Sequence, residues 1–525
     1  MNDKRQNNLG YWCSKSVEDY PERTAIIDLC GEAPRHVTYQ ELDQRLNRFA
    51  SMISDMGLKP GDRMAMAVGN RFEFVEVMFG AMRAGVVPVP LNTKLGADVL
   101  EFTIRDAECA AAIVEPACNS FIVGVVEKFG LEKRLAIGNQ NIDWPDYETT
   151  LMAASNSFDP PEISDEHPSF QPYTSGSTGR PKGVVLTHAG QLWWIRAVQK
   201  YWAEKSNARA LAAVPLYHKN AMAGAIKPML QCGGSVVLLP NFEPKRFLST
   251  LAEYKCTQAG AVPAVYTLLL QHRELIASLD LSSLEGLSVG SAPVQEELMV
   301  AMVEAFKVPV HESYGLTEGG PVMIGPPVDG RKVPFGSCGV IWPEGEVKLV
   351  DTDGNISQSL GELWVRNPGV TPGYYKLPEV NKAKLVDGWL ATGDLFSLDA
   401  EGFYYFRGRT DDMFNSGGEN IYPKEVENLL LSHPAVSDAS VVPIVHTIKG
   451  HVPLAMVLAD KNSDIKADEL KQHCLANGPA YAHPRRILIV SEMPLNGAGK
   501  VDRLQVQQML EDAFGKTLGN AGATA

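Results

Sequence analysis

The sequence reads Tyr173-Thr174-Ser175-Gly176-Ser177-Thr178-Gly179-Arg180-Pro181-Lys182-Gly183-Val184-Val185-Leu186-Thr187-His188 at the point that decides its fold. Glycines without a Cβ let a phosphate approach backbone N–H groups, and the serine and threonine hydroxyls add donors. Arg180 and Lys182 supply positive charge, and Pro181 stiffens the turn between them. The stretch therefore predicts a loop that binds a polyphosphate, with a strand behind it.

Two other interpretations fit this stretch less well. The common P-loop places its lysine at the start of a helix, whereas Lys182 follows a proline and precedes an apolar run typical of a strand. A flexible surface loop would have a similar glycine and serine content. The two cations and the apolar run make that second interpretation the weaker one.

The stretch resembles the phosphate loop of the adenylate-forming superfamily, which includes acyl- and aryl-coenzyme A synthetases, peptide-synthetase adenylation domains and luciferases. The resemblance runs from Thr38 to Arg503 through several motifs in the family's order. It implies an α/β fold, with a large N-terminal domain of parallel and mixed sheets covered by helices and a small mobile α+β C-terminal domain. It also implies that the nucleotide contacts Thr174, Ser175, Gly176, Ser177, Thr178, Gly179 and Lys182.

Length, charge and cysteine usage narrow the class of protein. The 525 residues exceed the ~250–300 at which a single core stops growing, so at least two domains are expected. A formal net charge of -14 argues against a nucleic-acid partner. The 8 cysteines form no C-x-x-C pair, which is typical of a reducing compartment. With no signal-like N-terminus and no apolar membrane span, we expect a cytoplasmic protein, and a homodimer is compatible with the sequence.

Helices alternate with short apolar strands through the first part of the chain. A capping box at Thr38 predicts a helix to about Met56, and the pattern then gives a strand at 63–68, a helix at 72–84 and a strand at 86–90. This alternation favours a parallel sheet with helices on both faces. The resemblance places the large domain at 1–408, a hinge at 409–412 that turns about Asp411, and the small domain at 413–525.

The segment from Ala212 to Gly224 is predicted to hold the acid substrate. An apolar strand is expected to end in Tyr217-His218, and small residues then open a helix. The resemblance implies that His218 gates the acyl pocket and the thiol tunnel, and that the pocket is lined by Asn220, Met222, Ala223 and Gly224. Lys219 and Asn220 either meet a polar group of the substrate or face solvent.

The same region argues against an amino-acid substrate. No Asp or Glu occurs from Leu211 to Phe242, where an amino-acid adenylation domain normally carries an aspartate for the substrate ammonium. A buried ammonium needs such a partner.

Two further motifs are predicted to complete the nucleotide site. In Glu312-Ser313-Tyr314-Gly315-Leu316-Thr317-Glu318-Gly319-Gly320-Pro321, Thr317 can donate to a phosphate oxygen and Glu318 can bind magnesium through oxygen. Tyr314 offers a ring to cover adenine. By resemblance, Gly290, Ser291 and Ala292 border the adenine, Ser313 and Gly315 contact the nucleotide, and the acid pocket also includes Gly290, Gly315, Gly319, Gly320 and Pro321.

The last third of the chain carries the remaining candidates, all implied by the resemblance. Asp394, expected at a turn, and Arg409 would bind the ribose, and Gly417 and Gly418 would admit the pantetheine arm of coenzyme A. Residues 481–486 lack the Lys/Arg-rich run usual in the family, so Arg485 or Arg486 is expected to contact the coenzyme A phosphates instead. Lys500, on a glycine-rich loop, would reach the reacting carboxylate and the α-phosphate as a catalytic residue, together with His218, Thr317 and Glu318.

The sequence therefore predicts an ATP-dependent acyl-coenzyme A synthetase that uses ATP, magnesium and coenzyme A. Its substrate is expected to be an aromatic, hydroxycinnamic or medium-chain acid. The alternatives are a ligase for another alkanoate or fatty acid, an amino-acid loader and a ligase that uses a carrier-protein thiol. The 25 residues after Lys500 (525 minus 500) are too few for a carrier domain. A non-catalytic relative should have lost Lys500, Glu318 or Asp394, and all three are present.

Overall fold

The computed structural model divides the chain into two compact units. The first unit comprises Met1–Val347 and Trp364–Ala391, and the second comprises Lys348–Leu363 and Thr392–Ala525. The predicted hinge at 409–412 and the domain limits at 408 and 413 stay predictions. The residues that the structure describes are 4–138, 142–175, 180–201, 205–292, 294, 296–410, 412–416, 419–460, 463–479, 482–496 and 500–518.

Helices occur along the whole described chain. A π-helical turn, Met222–Ile226, joins two of them. Within the described residues the α-helices are α1 (Ser14–Asp19), α2 (Tyr39–Asp55), α3 (Phe72–Arg83), α4 (Ala97–Asp106), α5 (Ile122–Lys128), α6 (Tyr147–Ala153), α7 (His188–Tyr201), α8 (Lys219–Ala221), α9 (Lys227–Gln231), α10 (Pro244–Glu253), α11 (Pro263–Leu270), α12 (Arg273–Ser278), α13 (Glu296–Phe306), α14 (Pro378–Lys384), α15 (Pro423–Leu431), α16 (Ala467–Asn477) and α17 (Arg503–Phe514).

Strands occur in both units, and the two longest, β26 and β27, belong to the second. In the described residues they are β1 (Thr24–Asp28), β2 (Arg35–Thr38), β3 (Arg63–Ala67), β4 (Val87–Pro90), β5 (Cys109–Val114), β6 (Arg134–Ala136), β7 (Pro168–Phe170), β8 (Tyr173–Ser175), β9 (Pro181–Thr187), β10 (Arg209–Ala212), β11 (Ser235–Leu238), β12 (Gln258–Ala261), β13 (Gly286–Gly290), β14 (Val310–Leu316), β15 (Gly320–Gly325), β16 (Val340–Ile341), β17 (Glu346–Val350), β18 (Ile356–Ser357), β19 (Leu360–Arg366), β20 (Gly373–Tyr374), β21 (Leu385–Val386), β22 (Trp389–Leu398), β23 (Tyr404–Arg409), β24 (Phe414–Ser416), β25 (Glu419–Ile421), β26 (Val436–His446), β27 (Gly450–Ala459), β28 (Arg486–Val490) and β29 (Thr517–Leu518).

The first unit contains the parallel sheets that the sequence predicts. One sheet has the order β4-β3-β5-β6 with every neighbour parallel. A nine-stranded sheet has the order β16-β15-β14-β13-β12-β10-β11-β1-β2. Its central strands, from β14 to β1, are parallel, whereas β2, β15 and β16 pair in the antiparallel sense at the edges. The predicted α/β class is therefore confirmed.

Local signals fix several helices at the predicted places. The side chain of Thr38 accepts a hydrogen bond from the N–H of Glu41, so the helix that follows begins with the predicted cap. Its apolar face, which includes Leu42, Leu46 and Phe49, is fully buried. Helix α7 follows the phosphate-loop strand, and its Trp194 is buried in the core.

The second unit is built around an antiparallel pair of long strands, β26 and β27, to which β28 and β29 add in the parallel sense. Helices α15 and α16 cover one apolar cluster and α17 covers another. From β26 to β28 the order along the chain is strand, strand, helix and strand. The division between the units falls within strands β17, β19 and β22 of a separate six-stranded sheet, β18-β17-β19-β22-β21 with β23 on β22.

Across the described ranges, no helix has both the length and the apolar character to cross a membrane.

Candidate active site

The phosphate loop joins the two strands of an antiparallel hairpin. Strand β8 pairs with β9, and the register places Thr174 opposite Lys182. Lys182 is the second residue of its strand, so the expectation that it precedes the strand is corrected, because the hairpin pairing extends to Pro181. Gly176, Ser177, Thr178 and Gly179 lie outside the described residues, as does the side chain of Ser175.

Glu318 lies beside two hydroxyl groups in the first unit. The Thr174 hydroxyl is 3.4 Å from its Oε1, and the Tyr374 hydroxyl is 3.1 Å from the same oxygen. The ammonium of Lys182 is 5.8 Å from the centroid of the Tyr374 ring. The loop strand, the Thr-Glu motif and Tyr374 thus form one polar cluster, here called the Glu318 cluster.

The turn that carries Glu318 is held through its backbone. Three consecutive carbonyl groups accept hydrogen bonds from three separate donors: Thr317 from the Lys219 ammonium at 2.7 Å, Glu318 from the Thr371 N–H at 2.6 Å, and Gly319 from the Asn367 amide at 2.9 Å. Gly320 follows with φ of 100°, a left-handed conformation that glycine adopts without strain. These contacts fix the direction in which the Thr317 and Glu318 side chains leave the turn.

The acid-pocket segment opens a helix after His218, as predicted, but the strand before it ends earlier than predicted. The preceding strand ends at Ala212, not at Tyr217-His218, and half-buried His218 precedes the first helical residue. Met222 and Ala223 are buried and Gly224 is exposed. Their π-helical turn is a feature often found at functional sites. The side chain of Asn220 lies outside the described residues.

Lys219 turns inward from this helix. Its side chain is buried, and its ammonium donates to the Thr317 carbonyl, so it does not face solvent. Burial lowers the pKa of Lys219 to about 7, and the Glu318 carboxylate opposes this shift. The amino group of Lys219 is thereby placed behind the turn of the Glu318 cluster.

The proposed adenine border lies on two adjacent parallel strands. Gly290 is paired with Ser313, and a Cβ at Gly290 would lie 3.0 Å from the Ser313 carbonyl oxygen. Gly290 is the last residue of its strand, and exposed Ser291 then turns the chain with φ of 65°. Half-buried Ala292 follows Ser291, and Tyr314 and Gly315 are half-buried at the end of β14. Gly319 and Gly320 follow it, and the side chain of Pro321 lies outside the described residues.

In the second unit, Asp394 and Arg409 are directly paired. They face each other in the β22–β23 register, and the Arg409 guanidinium donates to Asp394 Oδ1 at 2.8 Å. Asp394 is buried within a strand, not at a turn, because β22 continues through it to Leu398. The hydroxyl of Thr392 accepts from its N–H at 3.0 Å. The pair presents a carboxylate and a guanidinium at one position of the sheet.

Lys500 and Arg485 are the other candidates in the second unit. Lys500 has an exposed side chain, yet the protein around it still displaces water, and this desolvation lowers its pKa. The Asp394 carboxylate raises that pKa and the Arg409 guanidinium lowers it, so Lys500 lies within electrostatic range of the pair. Half-buried Arg485 has its Nη1 2.7 Å from Nδ1 of His483.

Some candidates are not described and others were missed. Asp411, Gly417 and Gly418 lie outside the described residues. Tyr374, Thr371 and Asn367 were not predicted to contact the Thr-Glu motif. The sequence marks this region only by Gly373-Tyr374-Tyr375, a glycine followed by two tyrosines. No sequence pattern connects these residues with Glu318.

Comparison with known proteins identifies the family of the chain. Residues 13–375 match the model of the AMP-binding enzyme family, and residues 425–500 match that of the AMP-binding enzyme C-terminal domain. Among curated relatives, a feruloyl-CoA synthase of Amycolatopsis sp is 32% identical over 96% of this chain and 99% of its own length. A 2-succinylbenzoate–CoA ligase of Bacillus cereus is 29% identical over 95% of this chain and 98% of its own length.

Solved structures give the same result for the fold. The crystal structure of ATP-bound MatB from Rhodopseudomonas palustris superposes with a TM-score of 0.88, at 27% identity, over 97% of this chain and 99% of that one. The first family model alone covers more than half of the chain, and both models occur in the order that the sequence motifs predict. The chain belongs to the family of AMP-binding enzymes, the adenylate-forming superfamily that its phosphate loop resembles.

Proposed function

We propose that this protein is an ATP-dependent acyl-coenzyme A synthetase that joins a carboxylic acid to coenzyme A through an acyl-adenylate, releasing AMP and pyrophosphate. The observation that carries the proposal is the Glu318 cluster, in which an acidic side chain, hydroxyl groups and the phosphate-loop lysine lie together. The named activities of the feruloyl-CoA synthase and of the 2-succinylbenzoate–CoA ligase support it.

In the first step an oxygen of the substrate carboxylate attacks the α-phosphorus of ATP, and the bond from that phosphorus to pyrophosphate breaks. Both reactants are anions, so the step needs charge neutralisation and alignment and no general base. Lys182 and the Thr317 hydroxyl would neutralise and orient phosphate oxygens. Asp394 would accept the ribose hydroxyls, with Arg409 beside it, and Lys500 would meet the reacting carboxylate and the α-phosphate.

Magnesium fits the residues at Glu318. Oε1 of Glu318 has the Thr174 and Tyr374 hydroxyls as neighbours, which gives an all-oxygen environment of the kind this hard cation prefers. Within the described residues no group of three His, Cys, Asp or Glu side chains forms a metal site. Magnesium is commonly bound by one or two carboxylates together with substrate phosphates, and when bound it would offset their negative charge. Glu318 is the residue that would bind it.

In the second step the sulfur of coenzyme A attacks the carbonyl carbon of the acyl-adenylate. The carbon–oxygen bond to AMP breaks, and the thiol proton is released. The resemblance implies that Lys500 acts in the first step, that Gly417 and Gly418 admit the thiol arm in the second, and that Asp411 is the hinge between them. Arg485 is proposed to meet the coenzyme A phosphates, and His218 to gate the thiol's access to the acid.

The proposed substrate is an aromatic, hydroxycinnamic or medium-chain acid. The pocket segment offers the small or apolar side chains of Met222 and Ala223 and the bare backbone of Gly224. The feruloyl-CoA synthase relative supports an aromatic acid with an oxygen substituent.

A pyrophosphate-release screen over a panel of acids, each with and without coenzyme A, tests the function. Release with at least one of these acids, and thioester only when coenzyme A is added, is the expected result. Release that leads to acylation of a carrier protein but not of free coenzyme A would favour the carrier-thiol alternative. Absence of release with every acid would contradict the proposal.

A further inference from the structure

A second lysine is buried on the acid-pocket helix. Lys227 has 1% of its side chain exposed, and its ammonium donates to Oε1 of Gln191 at 2.7 Å. An ammonium has three hydrogens, so this contact leaves two of them without a protein acceptor. No ion pair to a carboxylate forms at Lys227 in the described part of the chain. Such a charge is costly to bury unless a partner arrives from outside the protein.

Helix α7, which carries Gln191, has further buried donors without an acceptor. The Gln191 amide uses its oxygen for Lys227, and its Nε2 has no acceptor. Nδ1 of His188 accepts from the N–H of Leu9 at 2.8 Å, so the neutral ring carries its hydrogen on Nε2, which has no acceptor. Burial lowers the pKa of His188 to about 3, which keeps the ring neutral. The indole N–H of Trp194, further along the same helix, is likewise without an acceptor.

Lys227 directly follows the residues predicted to line the acid pocket. Lys219 and Lys227 stand on either side of the π-helical turn Met222–Ile226 that carries those residues. Both side chains are buried, Lys219 against the Thr317 carbonyl and Lys227 against helix α7. Ala223, between the two lysines, has only a methyl side chain. Lys219 raises the cost of charging Lys227, and the pKa of Lys227 falls to about 7 chiefly through burial.

We propose that the acid substrate carries a second carboxylate, which is bound by Lys227 and Gln191. This inference rests on the proposed function and names its substrate class. A carboxylate accepts about four hydrogen bonds, whereas a phenol oxygen accepts fewer, so the surplus of donors favours the carboxylate.

The test compares diacids with acids that lack only the second charge. Pyrophosphate release is measured for octanedioic acid, its monomethyl ester and octanoic acid, and in a second series for 4-carboxycinnamic, 4-hydroxycinnamic and cinnamic acids. The expected result is a kcat/KM about ten- to hundredfold higher for the diacid than for its ester or unsubstituted acid in at least one series, the range of a charged hydrogen bond. A preference for 4-hydroxycinnamic acid would assign the donors to a phenol and overturn the proposal.

Variants connect any such preference with the lysine. Lys227→Met should remove the preference for the diacid and leave the monoacids within about twofold, because only the charged contact is lost. Gln191→Glu, nearly isosteric, supplies Lys227 with a protein carboxylate and should have the same effect, which covers the case in which Lys227→Met fails to fold. Lys205→Met, a change at an exposed ion pair with Glu285, is the matched control. It should change kcat/KM neither for the diacids nor for the monoacids.

Failure of this inference is distinguishable from failure of the proposed function. If monoacids are activated and no diacid is preferred, or if both variants keep the preference, the second-carboxylate site is contradicted while the ligase function stands. If no acid supports pyrophosphate release, thermal shift with the diacids and their esters still tests the site. Equal stabilisation by diacid and ester, or none by either, would then overturn it.

Discussion

The phenol oxygen of Tyr374 lies 3.1 Å from Oε1 of Glu318, although 56 residues separate the two in sequence. The same tyrosine belongs to β20, which pairs with the phosphate-loop strand through Tyr374 and Val184. One residue therefore joins the loop strand to the proposed magnesium ligand. The Tyr374 hydroxyl contacts Oε1 of Glu318, which leaves Oε2 for the proposed magnesium ion.

Tyr374→Phe should raise the magnesium concentration needed for half-maximal pyrophosphate release by about three- to tenfold, because a hydrogen bond that orients the Glu318 carboxylate is lost. Magnesium titration of the adenylation rate measures this. Tyr375→Phe is the matched control, since that neighbouring hydroxyl lies 2.8 Å from Glu108 and away from Glu318. An unchanged magnesium requirement in Tyr374→Phe would show that the contact does not position the ligand.

Lys219→Met should lower the rate of adenylation by about tenfold, since the Thr317 carbonyl loses its charged donor and the turn is less well fixed. Lys219→Arg should recover part of the rate because it restores a cation near the carbonyl. The rates are compared with that of Lys200→Met, which removes an exposed pair with Glu344 and should change little. Equal rates in wild type and Lys219→Met would remove the positioning role of Lys219.

Asp394→Ala should raise the KM for ATP by about ten- to hundredfold, as expected for the loss of charge-assisted hydrogen bonds to the ribose. The variant should also lose the wild-type preference for ATP over 2′,3′-dideoxy-ATP, a readout that a merely structural change would not alter. Asp353→Asn, at an exposed position in the second unit, is the control. Retention of the preference in Asp394→Ala would place the ribose elsewhere.

Glu312 should make the first unit less stable as the pH rises from 4.5 through 7. Burial raises the pKa of this carboxyl from 4.5 to about 7, while the Cys338 thiol contact lowers it slightly. Below pH 4.5 the group is protonated in both the folded and the unfolded state. Above that pH the unfolded state loses its proton first, so the free energy of unfolding falls, by up to about 3 kcal/mol when pH 7 is passed.

The side chain of Glu312→Gln cannot lose a proton, so the free energy of unfolding of this variant should not fall in the same way between pH 4.5 and 7. Thermal unfolding at pH 5 and pH 8 measures the effect as a difference between wild type and variant, with exposed Glu304→Gln as the control. The Tm gap between Glu312→Gln and wild type should widen at the higher pH. A gap that is constant, or that narrows, would mean that Glu312 is already ionised in the folded protein at pH 5.

Local signals in the sequence explain why much of the fold could be predicted. The Thr38 cap is satisfied within three residues, so the helix Tyr39–Asp55 is fixed by its own sequence. The helix and strands of the second unit follow from hydrophobic periodicity in the same way. The Thr-Glu and phosphate-loop motifs are likewise short and contiguous.

Long-range contacts account for what could not be predicted. The antiparallel sheet around the phosphate loop depends on β20, nearly two hundred residues away, which no local pattern indicates. The burial of Lys219 is similar, because its carbonyl acceptor is 98 residues further along the chain. Local sequence alone places Asp394 at a turn. In the structure Asp394 is buried in a strand, because the partner strand β23 pairs with it there and supplies Arg409. Lone lysines are usually exposed, so composition gave no reason to expect two buried ones on one helix.

The central claim is that Lys500 serves adenylation and not thioester formation, and the two half-reactions of Lys500→Ala test it most directly. Pyrophosphate exchange measures the first, and thioester formation from supplied acyl-adenylate measures the second, with Lys516→Ala as an exposed control in the same unit. We predict that Lys500→Ala slows exchange by about 10²–10³-fold or more, the range for loss of one preorganised charge-stabilising group, and leaves thioester formation nearly intact. Equal losses in both half-reactions, or none in the first, would contradict the account.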